Sequence, residues 1–136
     1  MNNLMKNKRG LVMGVANDKS IGWGIAKAIS DQGGELAFTY QGEALKKRVI
    51  PLADSVNSEI VLPCDVSNDE DIDNTFNELK KKWPKIDFLV HAIAFSDKDE
   101  LKGDYIDTSR ENFINTMDIS VYSFTAIARR ACLMMP

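Results

Sequence analysis

Short apolar runs alternate with amphipathic segments along the chain, a pattern that predicts strands and helices in turn. Four runs are short and apolar enough to form buried strands. They cover residues 10–14, 36–40, 60–64 and 88–92. Pro63, inside the third run, cannot donate to a strand ladder, which favours an edge or strand-end position.

The segments between and after these runs have helical spacing, and four helices are predicted, over residues 22–32, 43–56, 69–82 and 110–135. Gly33 and Gly34 end the first helix, and Pro51 is expected to interrupt the second. Asn68 is a good N-cap for the third. The last helix carries few charges after Ile119, which predicts that much of its circumference is covered.

Alternating strands and helices predict an α/β fold with a parallel sheet. Right-handed crossovers make it a Rossmann-type, doubly wound sheet, of which this chain holds the first four strands with their flanking helices. We expect one domain, residues 1–136, with a ligand crevice at the carboxyl ends of the strands. The polar stretch over residues 96–109 has no predicted element, and long loops of this kind are often functional.

The composition of the chain argues against several classes of function. The 136 residues hold 17 Lys and Arg against 20 Asp and Glu, a net charge of −3, which argues against a nucleic-acid surface. No apolar run approaches the ~20 residues of a membrane span, so no membrane partner is expected. Cys64 and Cys132 lack the spacing of a metal or disulfide framework, which favours a reducing cytoplasm. A single histidine excludes a multi-histidine metal site, and no metal is predicted.

The loop after the first strand carries the first candidate site. It contains Gly14, Ser20 and Gly22 and leads into a helix, where free backbone N–H groups favour phosphate. Gly14 permits a tight turn, and the Ser20 hydroxyl can donate to a phosphate oxygen. The loop departs from Gly-x-Gly-x-x-Gly because Lys27 occupies the last position, so the spacing alone is a weak signal.

Taken together, these motifs resemble a divergent branch of the short-chain dehydrogenases, the bacterial-type enoyl-acyl-carrier-protein reductases. In that branch the first loop is longer and a serine replaces its middle glycine, as in Gly14-x5-Ser20-Ile21-Gly22. Segments along the whole chain share the resemblance: residues 35–41, 64–66, 83–87, 91–95, 103–105 and 118–124. The resemblance implies NADH-dependent reduction of the trans-2 double bond of enoyl thioesters on acyl carrier protein, in fatty acid synthesis.

The resemblance also implies a set of cofactor-binding positions, namely Gly14, Ser20, Ile21, Gln41, Asp65, Val66 and Ile93. Ala94 and Phe95 are expected to border the acyl pocket. Gln41 is a neutral amide where many dinucleotide folds place a carboxylate, and it does not neutralise a 2′-phosphate, so NADH is favoured over NADPH. Lys46, Lys47 and Arg48 follow closely, with the solvated face of a helix as their alternative role.

Several residues have a plain structural alternative. Asp65 could be a turn residue, and Cys64 is predicted to be a small buried hydrophobe rather than a nucleophile. His91 is predicted to be structural, because the family does not use it as an acid or base. The loop acids Asp97, Asp99 and Glu100 are expected to be solvated. The terminal helix, with Tyr122 and Phe124, resembles the one through which family members form tetramers; alternatively it simply covers the sheet.

No catalytic residue is assigned within the chain. The family's tyrosine, and the lysine seven residues after it, are expected in a helix beyond Pro136. Tyr40 and Lys47 have the same spacing but lie on the adenosine side. We therefore expect the front half of a cytoplasmic, homotetrameric reductase, inactive as residues 1–136 alone. The alternative is a short, non-enzymatic nucleotide-binding or subunit-partner module, and the sequence after Pro136 separates the two hypotheses.

Overall fold

The computed structural model describes residues 3–136 and contains one sheet of four parallel strands. The strands are β1 (Arg9–Met13), β2 (Glu35–Tyr40), β3 (Ile60–Pro63) and β4 (Phe88–His91), in the order β3-β2-β1-β4. Gly10 pairs with Leu36 on one side and with Phe88 on the other. All four predicted strands and the parallel doubly wound sheet are confirmed. Pro63 ends β3, which is an edge strand, as its missing N–H requires.

The described residues form five α-helices: α1 (Ile21–Asp31), α2 (Glu43–Ser55), α3 (Asp69–Lys82), α4 (Arg110–Met117) and α5 (Ser123–Ala131). A π-helical segment, Asp118–Tyr122, joins α4 to α5, and short 3₁₀ turns cover Tyr105–Asp107 and Cys132–Met134. The Asn68 cap is confirmed, because its side chain accepts a hydrogen bond from the Asp71 N–H.

The expected interruption of α2 at Pro51 is wrong. The helix continues through Pro51, which lies on its exposed side, where solvent can reach the carbonyl that loses its N–H partner. Val49 and Ala53, both fully buried, hold the opposite side of α2 against the sheet. Burial of that side therefore offsets the missing hydrogen bond.

The core has two parts, one on each face of the sheet. On one face Val12 and Phe38 pack with residues of α1 and α2. On the other face Leu11 and Met13 pack with residues of α3 and α5. Strand residues alternate between the two parts, so the middle strands are apolar on both faces, as expected of a doubly wound sheet.

The C-terminal helices are less covered than the sequence predicts. Ser123, Ala126, Ile127 and Ala131 of α5 are buried, but Val121, Tyr122 and Phe124 are each about half exposed, at 52%, 47% and 51%. The expectation of cover around most of this segment is therefore wrong for the chain by itself. Phe124 covers only the His91 ring at the end of β4, and the remaining surface of the two aromatic side chains is exposed.

An ion pair joins α5 to α3, beside the part of the core that contains Leu11 and Met13. The Arg130 guanidinium hydrogen-bonds the Asp73 carboxylate and also reaches Asp69 at 3.8 Å. This contact with Arg130 holds the pKa of Asp73 below its usual range. Among residues 3–136, no helix is both long enough and apolar enough to cross a membrane.

Candidate cofactor site

A cavity of about 490 Å³ lies at the carboxyl ends of the strands. It sits where the strand order reverses, since the chain runs from β1 to β2 and β3 on one side and places β4 on the other. That reversal is where open α/β sheets bind ligands. Seven of the nine predicted site residues line the cavity: Gly14, Gln41, Asp65, Val66, Ile93, Ala94 and Phe95.

Gly14 shapes the base of this cavity. Its φ is +106°, a conformation that strains other residues, and a Cβ built on it would lie 2.0 Å from the Ala92 carbonyl oxygen. The Ala92 N–H donates to the Met13 carbonyl at 2.9 Å, which brings the two chain segments together. The absent side chain therefore lets the chain at the end of β1 lie close to the chain at the end of β4.

Ser20 and Ile21 are the two predicted site residues that do not line the cavity. The Ser20 hydroxyl accepts hydrogen bonds from the N–H groups of Ala16 and Asn17, at 2.9 and 3.1 Å. It thereby fixes the turn that leads into α1, while Ile21 is 80% exposed. Within residues 3–136 the hydroxyl proton of Ser20 has no acceptor, so its role as a phosphate ligand stays a prediction.

Asp65 is both a turn residue and part of the cavity wall. Its Oδ1 accepts from the N–H and the hydroxyl of Ser67, at 2.9 and 2.6 Å. Its own N–H donates to the Asp71 carboxylate. In the described part of the chain Oδ2 has no hydrogen-bond partner, so one carboxylate oxygen remains able to accept from a ligand.

The wall at the end of β2 carries no positive charge. Gln41 lies there, exposed, and none of the residues lining the cavity in the described chain is Lys or Arg. The Lys46 ammonium instead lies over the Tyr40 ring, 5.8 Å from its centroid. Lys47 and Arg48 are exposed on α2, in line with the alternative of a solvated helix face, whereas Lys46 is only partly exposed.

His91 at the end of β4 contacts α5, the last α-helix of the chain. Its Nε2 lies 2.7 Å from the Ser123 hydroxyl, and its ring meets the Phe124 ring edge-on at 5.5 Å. Burial holds the pKa of His91 below its ordinary value. His91 does not line the cavity, so these contacts favour the predicted structural role.

A pH titration checks this assignment of His91. Because the folded state disfavours the charged ring, the folded protein binds fewer protons than the unfolded chain once the pH falls below about 6.5. His91 therefore contributes nothing unfavourable above that pH and costs stability progressively as the pH falls.

The sequence has one histidine, so its ring resonances give an unambiguous NMR titration. We expect a midpoint below the ordinary histidine value. We also expect an upward shift in Phe124→Ala, which uncovers the ring. A midpoint at or above the ordinary value would contradict the assignment.

Cys64 lines the cavity but is poorly suited to be a nucleophile. It is buried, and this burial raises the pKa of its thiol. A raised pKa keeps the thiol protonated at neutral pH, in line with its predicted role as a small hydrophobe. Within residues 3–136 no group of three or more side chains is placed to hold a metal ion.

Glu100 is not simply solvated, because it is partly buried and its carboxylate accepts hydrogen bonds from the chain. Its carboxylate accepts from the Ser109 N–H at 3.0 Å and from the Thr108 hydroxyl at 3.3 Å. These bonds hold the pKa of Glu100 below its usual range. Asp97 and Asp99 are exposed, as expected.

The sequence analysis missed several residues of the cavity wall, among them Thr39, Leu45, Asn115 and Ile119. Thr39 and Leu45 flank the predicted Gln41, so the strand end pointed to them indirectly. Asn115 and Ile119 come from the segment after the long loop, which folds back over the crevice. No local pattern marks Asn115, whereas Ile119 lies in the segment 118–124 that shares the family resemblance.

The chain matches known proteins over almost its whole length. A family model described as enoyl-(acyl carrier protein) reductase matches residues 14–136. Over 135 residues the chain is 62% identical to enoyl-acyl-carrier-protein reductase (NADH) 2 of Rhizobium meliloti, covering 99% of this chain and 50% of that protein. The reductase of Aquifex aeolicus is 48% identical over 97% of this chain and 49% of its own length.

Solved structures give the same match. The fold superposes on FabI from Candidatus Liberibacter asiaticus with a TM-score of 0.98 at 54% identity, covering 100% of this chain and 53% of that one. For the enoyl-acyl-carrier-protein reductase of Anaplasma phagocytophilum, in complex with NAD, the TM-score is 0.94 at 55% identity, covering 99% and 52%. The chain spans about half the length of the curated relatives it matches. It belongs to the enoyl-(acyl carrier protein) reductase family.

Proposed function

We propose that this sequence forms the cofactor-binding half of a reductase that uses NADH to saturate the trans-2 double bond of enoyl-acyl-carrier-protein in fatty acid synthesis. The observation that carries the proposal is the cavity at the strand-order reversal, lined by seven of the nine residues predicted to bind cofactor or border the acyl pocket. The family membership supports the same chemistry. Residues 1–136 are proposed as one dinucleotide-binding domain.

The residues present fit a dinucleotide. Gly14 lines the cavity at the end of β1, next to the loop that leads into α1, and its backbone carries no side chain that would keep a phosphate away. The free oxygen of Asp65 suits the adenine amino group, and the Val66 N–H suits an acceptor of the adenine ring. When bound, NADH supplies the hydride. This chain's residues bind and orient it, with Ile93 proposed beside the nicotinamide end and Ala94 and Phe95 beside the acyl group.

The charge of the cavity favours NADH over NADPH. A 2′-phosphate would bring about two negative charges to the end of β2, where the wall offers the neutral Gln41 and no cation. A relative from Bacillus cereus, 44% identical, was crystallised with NADP+ and indole naphthyridinone, so the preference must be measured for each member. For this chain the neutral wall is the reason to expect NADH.

The remaining parts of the proposal concern partners and location. The substrate is an enoyl thioester on acyl carrier protein, and neither nucleic acid nor membrane is a proposed partner. The exposed side chains of Val121, Tyr122 and Phe124 support assembly into a homotetramer, since clustered exposed aromatic residues mark interfaces. Free thiols at Cys64 and Cys132 support a cytoplasmic location.

The decisive experiment expresses the product of the complete open reading frame and follows NADH oxidation in the presence of trans-2-enoyl-acyl-carrier-protein. We expect turnover with NADH, much less with NADPH, and none without the enoyl thioester. Residues 1–136 expressed alone are the matched control and should show no turnover. Failure of the complete product to oxidise NADH with any enoyl thioester would refute the proposed activity. Turnover by residues 1–136 alone would refute the division into halves.

A further inference from the structure

The π-helical segment Asp118–Tyr122 makes a specific contact with the loop that follows β4. Such segments are rare and are found mostly as single wide turns, frequently at functional sites. Here the Ser120 hydroxyl bonds both polar backbone groups of Phe95. The Phe95 N–H donates to Ser120 Oγ at 3.0 Å, and Oγ donates to the Phe95 carbonyl at 3.2 Å.

A second hydroxyl fixes the other end of the same short stretch. The Ser123 Oγ lies 2.7 Å from His91 Nε2 and donates to the Ile119 carbonyl at 2.6 Å. Ser120 and Ser123 therefore hold the chain at Phe95 and at His91, on either side of residues 92–94. All three of those residues line the cofactor cavity.

Residues 93–95 depend on side-chain contacts of this kind, because the backbone hydrogen bonds of the sheet end at Ala92. The ladder between β1 and β4 ends at the pair of Met13 and His91, followed by one hydrogen bond from the Ala92 N–H to Met13. Beyond it, no backbone–backbone hydrogen bond in the described chain involves Ile93, Ala94 or Phe95. Ala94 and Phe95 are also exposed, so packing constrains them little.

We propose that Ser120 is a positioning residue for the reductase, which sets the backbone of residues 93–95 against the bound nicotinamide dinucleotide. This inference rests on the proposed function, because it assigns Ser120 a purpose at that same cavity. Ser120 acts through Phe95 and is not among the residues that line the cavity. The widened π turn places its hydroxyl opposite the Phe95 peptide groups, while Ile119, one residue earlier, lines the cavity.

The test compares Ser120→Ala with Ser55→Ala in the product of the complete reading frame. Ser55 is a matched control, because its hydroxyl also donates to a backbone carbonyl, that of Leu52, at the end of α2. Ser120→Thr keeps a hydroxyl and should restore wild-type behaviour. Ser120→Cys, similar in size but a weak donor and acceptor, serves if the alanine variant does not fold.

In Ser120→Ala we expect exchange of the Phe95 amide proton to accelerate and NADH to bind roughly fivefold more weakly, the effect of losing about one net hydrogen bond. We expect KM for NADH to rise with a smaller change in kcat, and the thermal midpoint to fall no further than in Ser55→Ala.

Unchanged Phe95 exchange, or faster exchange with unchanged NADH affinity, would overturn the positioning role. If the wild-type product itself binds no NADH, the proposed function fails, and the positioning role falls with it. Loss confined to the variant's thermal midpoint would show a merely structural serine and would also overturn the inference.

Discussion

Replacing Gly14 with alanine should abolish detectable NADH binding and lower the free energy of unfolding by roughly 3 kcal/mol. Two independent features require glycine at this position. The backbone φ is +106°, and an added Cβ would lie 2.0 Å from the carbonyl oxygen of Ala92. Carbonyl and Cβ both belong to strand ends, so neither can move without separating β1 from β4. That separation would deform the floor of the cavity that is proposed to hold the cofactor.

Gly24→Ala provides the matched control, since it makes the same chemical change ten residues along the chain. A Cβ on Gly24 would meet no atom within 4 Å, and the residue lies inside α1. Alanine favours a helix over glycine by roughly 0.5–1 kcal/mol, so this variant should be as stable as the wild type or more so. Titration calorimetry measures the NADH affinity of the two variants, and urea unfolding measures their free energy of unfolding. Equal behaviour of the two variants would refute the role assigned to Gly14.

The parts of the fold that local sequence determines were predictable. Strand β1 and strand β2 are short apolar runs, and helix α1 ends just before Gly33 and Gly34, so periodicity and turn chemistry located them. Parallel strands then place their carboxyl ends along one edge. That geometry alone brings Gly14 and Asp65 to the same cavity, although they are far apart in sequence.

The parts that tertiary contacts determine were not predictable. Asn115 and Ile119 reach the cavity only because the chain after the long loop folds back across the strand ends. The scarcity of charges after Ile119 also gave a wrong expectation of burial, because it does not indicate which apolar side chains face the sheet. Tyr122 and Phe124 proved to be exposed, whereas Ala126 and Ile127 are buried.

The π-helical segment shows the same limit within a single stretch of chain. Residues 110–135 have the periodicity of one helix, and the sequence predicted one. The structure keeps a continuous helical course over residues 110–131, but the π-helical segment Asp118–Tyr122 interrupts its α-helical hydrogen bonding between α4 and α5. Hydroxyl contacts from Ser120 to Phe95 and from Ser123 to His91 accompany this wide turn. Those contacts join segments about 25–32 residues apart, a separation that helical periodicity does not report.

Replacing Asp65 with asparagine should weaken NADH binding about thirtyfold, equivalent to roughly 2 kcal/mol. Asparagine has nearly the same shape but only one acceptor oxygen. If that oxygen keeps the bonds from Ser67, the amide NH₂ faces the adenine amino group, and two donors oppose each other. If the side chain flips to satisfy adenine, the NH₂ opposes the Ser67 donors and loosens the turn. Either orientation loses one of the hydrogen bonds that the proposed binding mode gives the carboxylate.

The two orientations can be distinguished by combining Asp65→Asn with Ser67→Ala. Removing the Ser67 hydroxyl relieves part of the conflict in the turn, so the double variant should bind NADH more tightly than the product of the two single effects predicts.

Asp54→Asn is the charge-matched control, because Asp54 is an exposed carboxylate near the end of α2, away from the cavity. It should leave NADH affinity unchanged. Equal loss in Asp54→Asn would mean that net charge, rather than the free oxygen of Asp65, governs affinity. Unchanged affinity in Asp65→Asn would leave Asp65 as a turn residue alone, and the adenine amino group would then need another acceptor in the cavity wall.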